Sequence, residues 1–142
     1  MRSARILVLG ALLPLGGCSE PPDLSPDIET YASRINASRS ALCLCPQDVG
    51  YPGVLECQDG LGRVDVAGEQ CIADALEGSE DAGKEYLDCA NAAYADYVAC
   101  LEVNETCEDG WIDDCNADHT SALSSCTPLA QGFDPAFATC GV

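Results

Sequence analysis

The segment Cys89-Ala90-Asn91-Ala92-Ala93-Tyr94-Ala95-Asp96-Tyr97-Val98-Ala99-Cys100 ends in cysteine at both sides, and so does Cys115-Asn116-Ala117-Asp118-His119-Thr120-Ser121-Ala122-Leu123-Ser124-Ser125-Cys126. In each, the two cysteines are eleven residues apart. Eleven residues of α-helix turn through about 1100°, only about 20° past three whole turns, so both cysteines of a segment project from one face. The rise between them is about 16 Å, whereas a disulfide needs Cα atoms within about 7 Å, so neither segment can bond to itself. Two such helices joined by a short connection can run antiparallel and be cross-linked at two rungs, Cys89–Cys126 and Cys100–Cys115. Equal spacings can also arise by chance, which would leave these four cysteines to other partners.

In its logic this arrangement resembles the twin C-x9-C helical hairpin of some small eukaryotic proteins. The spacing here is one residue longer, and the resemblance implies no function. Around the hairpin, the apolar stripe Leu87, Ala90, Tyr94, Tyr97 and Leu101 predicts a long helix over about 80–102, and a further helix covers about 112–126. A shorter helix is expected over about 67–77, with Cys71, Ala75 and Leu76 facing inward and Gly78 ending it. Ser25-Pro26-Asp27-Ile28-Glu29 reads as a helix start, with a serine cap, a first-turn proline and two acids at the positive dipole end. Ile28, Tyr31, Ile35 and Leu42, with Ala32 and Ser38 between, extend that helix over about 26–42. On it, Arg34 and Arg39 are read as offsetting neighbouring acids on a solvated face, with an anion site as the weaker alternative.

Residues 43–62 are rich in turn formers (Pro46, Gly50, Pro52, Gly53 and Gly60) and read as a loop ordered by Cys43, Cys45 and Cys57. A bond between Cys43 and Cys45 would be strained. Cys43, Cys45, Cys57, Cys71, Cys107 and Cys140 therefore have no assigned partners, since ten cysteines allow about 945 complete pairings. The expected fold is mainly α: a small disulfide-rich bundle of about four helices, with reduction expected to unfold it.

Composition agrees with that class. Eleven of 142 residues are cysteine and only 8 are aromatic, so a modest core must be supplemented by cross-links. Acidic residues number 24 against 6 basic ones, a formal charge of −18. Such a body repels phosphate backbones, which argues against nucleic-acid binding.

The chain begins with Arg2 and Arg5, then the apolar run Ile6–Leu15, then Gly16-Gly17-Cys18. A charged start and a greasy core too short to span a bilayer form a secretory signal. Leu15-Gly16-Gly17-Cys18 resembles a bacterial lipobox. The resemblance implies cleavage before Cys18, a diacylglycerol on its sulfur and an acyl chain on its new amino group, which together make attachment durable. A plain secretory signal, with Cys18 in a disulfide, is the alternative. Removing Cys18 from the pool leaves an even ten cysteines. Ser19 would permit export to the outer membrane. Residues 1–17 are thus read as a lipoprotein signal peptide, 18–25 as lipidated cysteine and extended proline-rich tether, and 26–142 as the helical domain. With Arg2 and Arg5 removed, four basic residues face 24 acidic ones, a charge of −20. The lipobox, Cys43-Leu44-Cys45, and Tyr86-Leu87-Asp88-Cys89 leading to Cys100, Cys107, Cys115 and Cys126 are similar to a group of cysteine-rich helical lipoproteins of myxobacteria-like bacteria. That similarity implies localisation and fold only.

No catalytic, metal or cofactor constellation is complete. Asp114-Cys115-Asn116-Ala117-Asp118 matches the opening of a calcium loop, but His119 stands where glycine is required and Ser125 where a bidentate glutamate belongs. The acids Glu108, Asp109, Asp113, Asp114 and Asp118 read as a solvated helix start, and calcium is not an expected partner. His119, the single histidine, is read as a surface helix residue. Trp111 is read as a partly buried anchor. Cys43 and Cys45 follow a helix C-terminus, whose negative end disfavours a reactive thiolate. The expected function is a lipid-anchored, non-enzymatic envelope protein with a structural or protein-interaction role and an unknown protein partner. The alternative is an acidic adhesion module that engages a basic partner or calcium.

Overall fold

The computed structural model describes residues 20–103, 106–129, 137 and 139–142. Within them the chain forms five helices: α1 (Ser25–Leu42), α2 (Val54–Leu61), α3 (Val66–Leu76), α4 (Glu80–Val103) and α5 (Trp111–Ser124). No strand occurs among the described residues, so the fold is mainly helical. Helix α4, 24 residues and about 36 Å long, is the spine; α1 packs along one side of it and α5 along another. Helix α3 lies against α1.

The main core forms where these faces meet. Ile28, Tyr31, Ala32 and Ile35 of α1 meet Ile72 and Leu76 of α3 and Leu87 and Ala90 of α4, closed by Val64, Phe137 and Cys140. Its aromatic members touch edge to face, Tyr31 to Tyr94 at 5.4 Å and Tyr86 to Phe137 at 6.1 Å between ring centres. A smaller core of Ala41, Tyr97, Leu101 and Cys115 sits nearer the other end of α4, with Trp111 and Ile112 packed on it. Gly83 lets α4 approach closely: a Cβ there would lie 3.0 Å from Leu24 Cδ1 and 3.2 Å from both Leu76 methyls.

Several local readings change. The segment 43–62 is not all loop, because Gly53 begins the two-turn α2, whose buried residue is Cys57. Burying that sulfur outweighs the turn propensity of the surrounding glycines. Gly62 then ends α2 at φ 64° and ψ −167°, backbone that essentially only glycine adopts. At the start of α1 Ser25 is not the cap. Its N–H donates to Asp23 Oδ1 at 3.0 Å, and the hydrogen bonds from Ser25 hold the Asp23 carboxyl below the usual range. Leu24, placed by sequence in the extended tether, is 7 % exposed and packs in the main core, so the spacer ends at Asp23. Ala41 is buried at the end of the α1 stripe and Leu42 only partly.

Among the described residues the ion pairs are those of Lys84 with Asp27 (3.6 Å), which couples α4 to α1, and with Asp88 one turn along α4. Arg39 does not face a carboxylate; its Nη2 donates to the Gly141 carbonyl at 2.8 Å and ties the chain end to α1. Asn36 mimics a paired backbone. Its Nδ2 donates to Val64 O and its Oδ1 accepts from Val64 N, both at 2.9 Å.

Leu87, fully enclosed between the three long helices, tests this core. Leu87→Ala is expected to lower unfolding free energy by about 2–5 kcal/mol in a denaturant titration, whereas Leu55→Ala on the solvent side of α2, 73 % exposed, changes it by less than about 0.5 kcal/mol.

Candidate functional site

All ten described cysteines form disulfides: Cys43–Cys57, Cys45–Cys107, Cys71–Cys140, Cys89–Cys126 and Cys100–Cys115, with Cα atoms 5.5–5.8 Å apart. Both rungs drawn from the equal spacings lie between α4 and the α5 end of the hairpin. The six cysteines left unassigned link more distant parts. Cys43–Cys57 pins α2 to the end of α1, Cys45–Cys107 pins the α4–α5 connection to the same place, and Cys71–Cys140 pins the chain end to α3. Cys43 and Cys45 thus take separate partners. Cys18 lies outside the described residues, as does the signal segment.

Two rungs also fix register. Each step up α4 is matched by a step down α5, which sets residue 119 opposite residue 96 and beside Tyr97. His119 is accordingly not a surface residue. It is half-buried, stacked on Tyr97 with ring centres 4.3 Å apart and planes 11° from parallel, and it meets Tyr94 edge on at 4.4 Å. Its Nδ1 is enclosed without a hydrogen-bond partner. Burial holds the imidazole below its ordinary pKa, opposed in part by the Ala93 backbone beside it. The Tyr97 hydroxyl hydrogen-bonds Asn116 Oδ1 at 2.5 Å. Beside this stack is a cavity of about 250 Å³ bounded by Asp96, Asp118 and the Cys100–Cys115 bond. The chain pattern alone could have found the stack, since Tyr94, Tyr97 and His119 fall together once the rungs are drawn.

Trp111 opens α5 half-buried, with Nε1 donating to Cys100 O at 2.9 Å, so it anchors the hairpin turn. The acids Glu108, Asp109, Asp113, Asp114 and Asp118 are all exposed. Residues 114–118 are helical, so Asp114 and Asn116 diverge by about 200° around the axis instead of converging as in a calcium loop. Among the described residues no group of three or more His, Cys, Asp or Glu side chains is arranged to hold a metal ion.

A surface groove of about 620 Å³ runs along α1. Glu29, Ser33, Asn36 and Ser40 form one wall, and Arg63, Asp65, Val66 and Glu69 stand on the other. Adjoining it, and sharing Asn36, Ser40 and Arg63, is a pocket of about 240 Å³ that also contains Arg39, Gln58 and Asp59. The sequence offered an anion site at Arg34 and Arg39 as an alternative and left Arg63 out, because Arg39 and Arg63 are far apart in the chain. What joins them is the Cys43–Cys57 bond, which ties α2 to the end of α1, together with the paired hydrogen bonds between Asn36 and Val64.

No family model matches the chain, and no curated protein or solved structure matches it.

Two outcomes follow from these positions. In α2 only Cys57 is buried. Replacing both Cys43 and Cys57 by alanine is therefore expected to abolish amide-exchange protection over Val54–Leu61 while α4 keeps its protection; a still-protected α2 would contradict this. For His119 the folded pKa lies below the unfolded one, so folding favours the neutral ring. Its stability contribution is complete above the ordinary value of 6.5 and is lost as pH falls through it. The melting temperature of the natural chain should fall relative to His119→Gln over that window.

Proposed function

We propose that this chain is a lipid-anchored, disulfide-stapled helical protein of the bacterial cell envelope, held by acyl chains on Cys18 at the outer membrane and acting by structure or protein interaction without catalysis. The carrying observation is the ending Leu15-Gly16-Gly17-Cys18 together with the pairing of the ten later cysteines among themselves, which leaves Cys18 as the odd thiol. Five disulfides in a chain of this size support an oxidising compartment, such as lies beyond the inner membrane of a bacterium. No helix among the described residues is long and apolar enough to cross a membrane, so attachment rests on lipid in this reading.

The geometry of the tether supports a particular posture. Only residues 19–23 separate the proposed anchor from the buried Leu24, a reach of at most about 22 Å when fully extended. The domain would therefore sit at the membrane surface, with α1 beginning nearest the lipid. A mature charge of −20 would be repelled by anionic headgroups, which turns the body outward and leaves its long faces open to solvent and partners.

Cys18→Ala decides the anchor. The natural chain is expected in the detergent phase on partitioning, with a mass exceeding that of the polypeptide from residue 18 by its acyl groups. The variant is expected in the aqueous phase; a variant that stays membrane-bound overturns the proposal.

A further inference from the structure

Beyond residue 18 the chain has four basic side chains, Arg34, Arg39, Arg63 and Lys84, against 24 acidic ones. In so acidic a body each cation would be expected to find a carboxylate, and Lys84 finds two. Arg34, Arg39 and Arg63 do not: among the described residues none of the three has a carboxylate within ion-pair distance, and two of them, Arg39 and Arg63, line the same 240 Å³ pocket. Half of the mature chain's positive charge is thus gathered where the protein does not neutralise it by direct pairing.

The pocket is also held in shape. Arg39 is fixed by the bond from Nη2 to Gly141 O, which leaves other N–H groups of its fork to serve a ligand. Arg63 stands between two constraints, the glycine-only backbone of Gly62 before it and the doubly bonded Val64 after it. Gln58 and Ser40 add polar walls. Asp59 is the one acid there, so the local sum of formal charges is one positive unit. That matches a single carboxylate better than a phosphate dianion. The adjoining groove continues along α1 from Ser40 to Glu29, eleven residues apart and so about 16 Å, the length of four or five residues of extended chain. Glu29, Asp65 and Glu69 make the rest of the groove acidic, although Asp65 Oδ1 already accepts from the Gly68 N–H at 3.0 Å.

We infer that this groove binds a short zwitterionic peptide, its terminal carboxylate held by Arg39 and Arg63 and its ammonium group by Glu29 and Glu69. A zwitterion is favoured over a free anion for a second reason. The −20 body repels any net anion at long range, whereas a ligand with no net charge feels only the local field, within a Debye length of about 8 Å. Binding at this groove goes beyond the anchoring argument and does not require lipid on Cys18, so either can fail alone.

The test is calorimetry on the full chain in detergent with four probes: tetra-alanine, its C-terminal amide, its N-acetyl derivative and inorganic phosphate. Tetra-alanine is expected to bind with Kd of about 1 mM or tighter, and the amide and phosphate to be at least about tenfold weaker. Arg63→Gln should impose the same tenfold loss on tetra-alanine with an unchanged melting temperature. Glu69→Gln should weaken tetra-alanine but leave the N-acetyl derivative unaffected. Absence of heat with tetra-alanine up to about 10 mM, or equal affinity for the acid and the amide, overturns the inference; so does phosphate binding as tightly as the peptide.

Discussion

Two of the five helices bury one residue each, and in both cases it is a cysteine: Cys57 in α2 and Cys115 in α5. Helix α2 has almost no apolar face to hold it on a core and α5 adds only the partly buried Trp111, Ile112, His119 and Leu123, and isolated helices of 8 or 14 residues are marginal in water. The sulfur–sulfur bonds supply what the faces lack. Each removes loop-closure entropy from the unfolded chain, by about 2–4 kcal/mol in the entropic picture, although the contributions are not independent. For α5 the constraint is stronger than a tether. A single bond would let the helix swing about it, but Cys89–Cys126 and Cys100–Cys115 act as two rungs and fix distance, register and rotation together.

That fixed register explains the chemistry at the hairpin. Tyr97 and His119 stack because the rungs bring them opposite each other, and the stack then shields an imidazole nitrogen from water. Burying an unpaired polar atom carries a cost, which the covalent frame can impose where packing alone could not. The same frame lets Trp111 reach the Cys100 carbonyl across the turn. By contrast, the α1–α3–α4 side rests on ordinary burial of Ile28, Ile35, Ile72, Leu76 and Leu87, and its one covalent link, Cys71–Cys140, secures the chain end.

Most of this was legible where a single helix period governs the answer. The spacing of Cys89 and Cys100, repeated at Cys115 and Cys126, named two pairs that are bonded in the structure, and the stripe from Leu87 to Leu101 located α4 within one residue. Legibility ended where a contact joins residues remote in sequence. Cys45 and Cys107 are 62 residues apart and Cys71 and Cys140 are 69, and nothing local distinguishes those partners from the other arrangements. α2 was hidden for a related reason, since its glycines suggest a turn and only the bond from Cys57 to Cys43 repays its ordering. Ser25 lost the cap because Leu24, drawn into the core, takes the N-cap position and Ser25 becomes the first helical residue, its N–H donating to Asp23 Oδ1.

The distribution of charge completes the physical account. With so few cations, the protein cannot neutralise its acids, and it places the cations it has where position matters. Lys84 bridges α4 to α1 through Asp27, which is structural use. Arg39 divides its fork between the Gly141 carbonyl and the groove, so the chain end that Cys71–Cys140 secures also orients a guanidinium. Arg63 is set by a turn that exists because Cys57 pulls α2 back onto α1. The groove therefore depends in part on the same bonds as the fold: without the Cys43–Cys57 link, only the paired Asn36–Val64 hydrogen bonds would hold Arg63 near Arg39.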